Sequence, residues 1–293
     1  MDHITTDDGV SLYYESHGSG TPIVFVHEFG GNYWSWEPQI DRFSRRHQCV
    51  TFAARGYRPS GVPEDVGSYS QARAAADIAA VVRGCGFDSA HIVGLSMGGF
   101  ATLHFALDYP QLCRSAIVAG AGYGAEKEHE EYFRRISEQV ATNIQEIGPR
   151  DFAPIYAEGA SRVQFQNKSP RHWKIFAERL AQHDPLGAAN TMRGVQMRRP
   201  SIYDLEARMK ACKVPVLIMT GDEDDHCLQP GIFMKKTLPS AGLAVRPKTG
   251  HTLNIEEPEL FNSLMAEFIA DVEAGAWKSR DPRANPAQIM RTD

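Results

Sequence analysis

Short, wholly apolar runs alternate along the first half of the chain with segments of helical period. Pro22–Val26 is a continuous apolar run of the kind that suits a central parallel strand. Val50–Ala54, His91–Leu95 and Ser115–Ala119 read as further buried strands, and Val214–Met219 and Leu243–Arg246 repeat the pattern near the end. Between them, helices are expected around Trp36–Phe43, over Ser70–Cys85 with Ile78, Val81 and Val82 apolar and Gly84 and Gly86 marking the end, and over Phe100–Leu107. Ile4–Thr6 and Val10–Glu15, joined by Asp7-Asp8-Gly9, read as a β-hairpin. A helix near Pro230–Leu238 and a closing helix over Pro258–Val272 complete the pattern. Strand and helix in alternation predict an α/β fold: a mostly parallel central sheet with helices on both faces.

The alternation stops between about Gly124 and Lys210. There the period is helical throughout. Phe133, Ile136, Val140, Ile144 and Ile147 share one face, and Trp173, Phe176, Ala177 and Leu180 share another, begun by Ser169-Pro170 as cap and first-turn proline. A helical insert between two strands of a parallel sheet is expected to be a lid that excludes water and shapes a pocket; the plainer alternative is a packing subdomain. The expected organisation is therefore a core of residues 1–123 and 211–275, a helical lid over 124–210, and a tail over 276–293. The tail is rich in Arg, Pro and Ala. It has three options: to wrap the surface, to pair with a second subunit in a homodimer, or to stay loose.

Composition narrows the class without naming it. A chain of 293 residues with 42% hydrophobic and 23% charged residues can bury a full core as one large domain. Its net charge of −5 argues against a nucleic-acid surface. The five cysteines (Cys49, Cys85, Cys113, Cys212, Cys227) are an odd number without C-x-x-C spacing, which reads as reduced thiols in a cytoplasm. Met1 leads into Asp2-His3-Ile4 with no signal segment, and no apolar run approaches a membrane span.

The chemistry gathers at the ends of the predicted strands. Gly94-Leu95-Ser96-Met97-Gly98 has the G-x-S-x-G form, between a strand and a helix. A sharp strand-to-helix turn would hold Ser96 strained and exposed at the C-terminal edge of the sheet, and glycines flank it because side chains there would collide with neighbouring backbone. The N–H groups that open the next helix would face the same point, ready for an anion. A serine hydroxyl needs a base to take its proton, and the base needs an orienting carboxylate. Acidic residues at Asp222, Asp224 and Asp225 follow one later strand, and His251 follows the next.

With those residues in place, the chain resembles a serine member of the α/β-hydrolase fold family over nearly all of Ile4–Val272. The motifs that carry the resemblance are Gly94-Leu95-Ser96-Met97-Gly98-Gly99, His27-Glu28-Phe29-Gly30-Gly31, Gly221-Asp222-Glu223-Asp224 and Gly250-His251. The resemblance implies Ser96 as nucleophile, His251 as general base and acid, and Asp224 as orienting acid ahead of Asp225. It implies the N–H groups of Phe29 and Met97 as oxyanion donors. His27 and His104 read as structural histidines near the elbow. His226 beside Cys227 is poor evidence for a metal.

Two positions depart from the family pattern. Glu28 stands where glycine usual follows the histidine, and a carboxylate aimed into the oxyanion site would oppose the developing charge. Glu28 is therefore expected to point away, hydrogen-bonded within its loop; the sharper alternative is recognition of a polar or cationic substrate group. Ala53 stands where the family often has Asp, a change expected to alter loop packing only. Trp34 and Tyr123 are pocket candidates, with helical packing as the plainer reading, and the same holds for Trp36, Trp173 and Phe176.

The expected function is a cofactor-independent, metal-free serine hydrolase that cleaves a small or medium apolar carboxylic ester through an acyl-enzyme. The expected partner is a small-molecule substrate, with no nucleic acid and no membrane. An enol-lactonase or C–C bond hydrolase of small-molecule catabolism is the alternative within the same triad, and a non-catalytic ligand-binding protein is the alternative outside it. A carboxylate nucleophile, as epoxide hydrolases and dehalogenases need, is excluded by Ser96 at the elbow.

Overall fold

The computed structural model describes residues 2–284. Eight strands form one sheet in the order β1-β2-β4-β3-β5-β6-β7-β8. They are β1 (His3–Thr5), β2 (Ser11–His17), β3 (Thr21–Val26), β4 (His47–Phe52), β5 (Ala90–Leu95), β6 (Cys113–Ala119), β7 (Val216–Gly221) and β8 (Ala241–Arg246). The first hairpin pairs antiparallel, with Ile4 opposite Leu12, and β2 pairs antiparallel with β4; every later pairing is parallel. Gly9, at φ +83°, turns the hairpin in the left-handed region where a side chain would be strained.

The apolar runs fold as parallel strands because helices cover both sheet faces. One face carries α2 (Gln71–Gly84) and α3 (Met97–Asp108), whose Ile78, Val81, Val82, Leu103 and Phe105 join Val24, Ile92 and Val118 in one buried cluster. The other face carries α1 (Glu37–Phe43) and α11 (Pro258–Glu273), where Phe43, Phe261, Met265 and Phe268 pack on Phe25, Val93 and Ile117. Ser70 caps α2 by accepting from the Arg73 N–H at 3.1 Å. The helix expected from Pro230 begins earlier. It is α10 (Asp225–Thr237), with Pro230 inside it, so it starts one residue beyond Asp224.

Between β6 and β7 the chain is helical: α4 (Glu130–Glu146), α5 (Gly148–Ala157), α6 (Val163–Lys168), α7 (Pro170–Leu180) and α8 (Pro185–Asn190), then a π-helical turn over Thr191–Gln196. The end of this stretch rejoins the main core. Ile202, Leu205 and Met209 of the turn before and within α9 (Glu206–Ala211) lie in the same buried cluster as Phe105 and Met234. The first residues of the expected tail lie along the sheet edge, where Trp277 packs on Phe268 at 4.7 Å and donates to the Ser240 carbonyl at 2.8 Å. The remainder of the tail, residues 285–293, lies outside the described residues. All five cysteines are unpaired, and no helix among the described residues is long and apolar enough to cross a membrane.

Candidate active site

Ser96 is the N-cap of α3 at φ 57°, ψ −114°, and only it and Lys248 among the described non-glycine residues have positive φ. Its neighbours show why the turn needs glycine. A Cβ on Gly94 would stand 2.1 Å from the Gly98 carbonyl oxygen, and one on Gly98 would stand 2.1 Å from that of Val26. These are backbone contacts that cannot give way, so Gly94 and Gly98 let β5, α3 and β3 converge beneath a strained serine. Met97 opens α3, so its N–H lacks an intrahelical acceptor and faces the strand edge.

His251 and Asp224 come from the loops after β8 and β7. Both are buried, and His251 Nδ1 lies 2.8 Å from Asp224 Oδ2. A carboxylate only accepts, so Nδ1 carries the proton of this bond and Nε2 is the ring nitrogen not held by Asp224. Burial alone would raise the Asp224 carboxyl, but the charge and hydrogen bond of His251, with Arg162 and Cys227 nearby, hold it below the ordinary carboxylate range. Asp225 takes a different place: it opens α10 and faces the cavity. Among the described residues, one His/Cys/Asp/Glu group has spacing that would suit a metal, namely Asp224, Cys227 and His251, whose ligand atoms lie within 4.8 Å of one another. The His–Asp hydrogen bond already occupies two of these, and burial beside the Asp224 carboxylate drives the Cys227 thiol well above its usual pKa, away from the thiolate a metal needs.

The loop after β3, expected to supply an oxyanion donor, is held from behind. His27 is buried, with Nε2 accepting from the Ala54 N–H at 3.1 Å, so Nδ1 donates to the Glu28 carbonyl at 2.7 Å. Tyr57 donates its hydroxyl to the Phe29 carbonyl at 3.1 Å. Burial keeps His27 neutral, with its pKa lowered to about 4. His104 is also buried, with its pKa lowered to about 4 by the same cause. At the position of the family's missing Asp, Ala53 sits near Arg55, which instead takes Asp77 through Nε and Nη2 at 2.7 Å each and Asp8 through Nη1 at 2.9 Å.

Ser96 and His251 open on one cavity of about 730 Å³. Phe133, Ile136, Val140, Phe152 and Tyr156 of the insertion, with Met192 of the π-turn, supply its apolar wall; Asn143, Gln196 and Arg162 interrupt it with polar groups. Tyr123 lies at this cavity, its ring edge-on to His251 at 5.2 Å. Trp34 does not. It lines a separate surface cleft with Tyr33 and Glu37, beneath the guanidinium of Arg179 at 4.8 Å. Trp34 is the second residue after Asn32, whose cap starts a short 3-10 turn, and that turn carries the indole into this other cleft.

Glu28 is not bonded within its own loop through its side chain. Its Oε2 accepts from Arg162 Nη2 of the insertion at 2.6 Å, and both side chains are buried. Arg162 had no sequence signal: a single arginine in a helical stretch looks like a solvated face.

A family profile described as the alpha/beta hydrolase fold matches residues 21–258. The chain belongs to the α/β-hydrolase fold family. Within this hydrolase family it is 25% identical over 276 residues to a 2-succinyl-6-hydroxy-2,4-cyclohexadiene-1-carboxylate synthase of Bacillus subtilis, covering 92% of this chain and 98% of that one. It is 26% identical over 267 residues to 3-oxoadipate enol-lactonase 2 of Acinetobacter baylyi, covering 89% and 93%. A solved esterase from Thermogutta terrifontis superposes with a TM-score of 0.82 at 23% identity, covering 92% of this chain and 98% of that one.

Proposed function

We propose that this α/β-hydrolase is a cofactor-independent serine hydrolase that cleaves a small or medium apolar carboxylic ester through an acyl-enzyme. The observation that carries the reading is the joint opening of the strained Ser96 and the Asp224-bonded His251 on one cavity, which Phe133, Ile136, Val140 and Phe152 of the insertion wall on one side. In the proposed reaction, Ser96 Oγ attacks the ester carbonyl while His251 Nε2 takes its proton. Asp224 keeps the proton on Nδ1 and stabilises the imidazolium that forms. The oxygen of the tetrahedral intermediate gains a full negative charge, which the N–H groups of Met97 and Phe29 receive at the start of α3 and in the loop after β3. His251 then protonates the departing alcohol. Water enters by the reverse proton path and releases the acid. The helical insertion serves as the lid, closing the cavity over the acyl group.

Labelling with a fluorophosphonate probe, read by intact mass beside hydrolysis of p-nitrophenyl acetate and butyrate, tests this. A single adduct on Ser96 is expected, with ester turnover that Ser96→Ala reduces by about 10⁵-fold or more. A folded protein with neither adduct nor turnover would sink the reading and favour a ligand-binding protein. A second reading, lactone hydrolysis, draws on the likeness to the A. baylyi enol-lactonase. Product identity separates the two: an acid with a free alcohol for an ester, one hydroxy or keto acid for a lactone.

A further inference from the structure

Glu28 puts a carboxylate one residue before Phe29, whose N–H belongs to the proposed oxyanion site. Its side chain is 3% exposed and its hydrogen-bonded partner among the described residues is Arg162. Arg162 is equally committed to this place. The guanidinium lies over the ring of Tyr156 at 4.5 Å and that of Phe176 at 5.2 Å, which fix its plane, and its side chain is 5% exposed. Arg162 also lines the cavity that Ser96 and His251 share. A buried carboxylate beside an oxyanion site would raise the energy of any transition state that gathers negative charge there, because like charges interact strongly in a dry site.

We propose that Arg162 is a positioning residue of the hydrolytic reaction: by neutralising Glu28 it keeps the oxyanion site receptive to negative charge. The proposal rests on the serine-hydrolase reading above. The neutral ester does not feel the Glu28 charge strongly, whereas the tetrahedral oxyanion does. The benefit of Arg162 therefore falls on the transition state and appears in kcat more than in KM. A strut that only tied the insertion to the loop would behave differently, since cutting it from either side would do equal damage.

The test is a double-substitution cycle on a neutral p-nitrophenyl ester, with Arg162→Met, Glu28→Gln and the pair. Arg162→Met is expected to lower kcat about 100-fold, the scale of losing one oxyanion donor, with KM moving less than about threefold. Adding Glu28→Gln removes the unpaired charge and is expected to restore kcat at least about tenfold over Arg162→Met. Inhibition by a trifluoromethyl ketone, whose serine adduct bears the tetrahedral oxyanion, is expected to weaken in Arg162→Met and recover in the pair. Arg162→Gln, a smaller polar neutral side chain, is expected to follow the same order and serves where the methionine variant does not fold. A double variant no faster than Arg162→Met overturns the proposal, and so does a rise in KM with kcat unchanged. Ser96→Ala separates the two levels. If it still turns over ester, the serine reading itself has failed; if it is inactive and the pair shows no rescue, only the role of Arg162 has.

Discussion

The two halves of the helical insertion stand over the same cavity but meet the rest of the molecule in opposite ways. The first, α4 and α5, lines the cavity with Ile136, Val140 and Phe152 and brings Tyr132 and Ile155, 50% and 59% exposed, to the same cavity. Its polar tie is sideways, within the insertion and its π-turn, where Arg193 takes Glu138 through Nε at 2.9 Å. The second half, Ala160–Lys168, is bonded to the loops that carry Glu28, Asp224 and His251. The Ser161 carbonyl accepts from the His251 N–H at 2.8 Å, and Arg162 holds Glu28. Gln164 donates to Glu223 at 2.7 Å, and Lys168 reaches Glu256 and Glu257 at 2.9 and 2.6 Å. One half shapes a volume; the other fixes the loops around it. The physical difference is between apolar contact, which has no direction and tolerates sliding, and hydrogen bonds, which lose energy steeply when bent.

That contrast can be broken most severely at Gly250. A Cβ there would stand 2.2 Å from the Ser161 carbonyl oxygen, a backbone atom that cannot swing aside. Gly250→Ala should push the His251 loop off the second half and lower ester kcat about 100-fold, the scale of a misplaced catalytic group. A variant of near-native kcat would show that the second half does not hold this loop.

A smaller effect is expected at the joint between the insertion and the loop after β3, where the rings of His27, Tyr57 and His183 meet edge to face at 4.6 and 5.1 Å. Burial lowers His27 to a pKa of about 4 and His183 to about 3. The unfolded chain binds protons at histidine near pH 6.5 while the folded chain refuses them, so stability is full above that pH and is lost as pH falls toward 4. For His27 the loss at pH 5 is about 2 kcal/mol. Urea midpoints between pH 8 and pH 5 measure it, and His183→Phe should flatten the slope. An unchanged slope would mean that these histidines are not held neutral.

The smallest effect belongs to the first half. Ile136→Ala enlarges the cavity wall without touching a loop, so it should shift the butyrate-to-acetate ratio of kcat/KM by about tenfold or less, as one or two methylenes in an apolar pocket do. A collapse of kcat with both esters would put the first half among the loop-holding elements and erase the contrast.

Much of this molecule was legible before it folded, for a local reason. The apolar runs, the helical insertion and the helix after Ser70 follow from patterns a few residues long, and so does the demand for Gly94 and Gly98 around a strained Ser96. Ser96, Asp224 and His251 were legible too, because each stands just after a strand that the pattern predicts. What the tertiary structure alone decided is where side chains go when their partners are far away in sequence. Trp34 was expected at the pocket, yet a capped 3-10 turn carries it into another cleft under Arg179. Glu28 was expected to bond within its loop, yet it meets Arg162 across 134 residues. Local sequence fixes backbone path and period, since these depend on neighbouring torsions. The pairing of one buried charge with another depends on how two separately formed elements dock, and no window along the chain contains both.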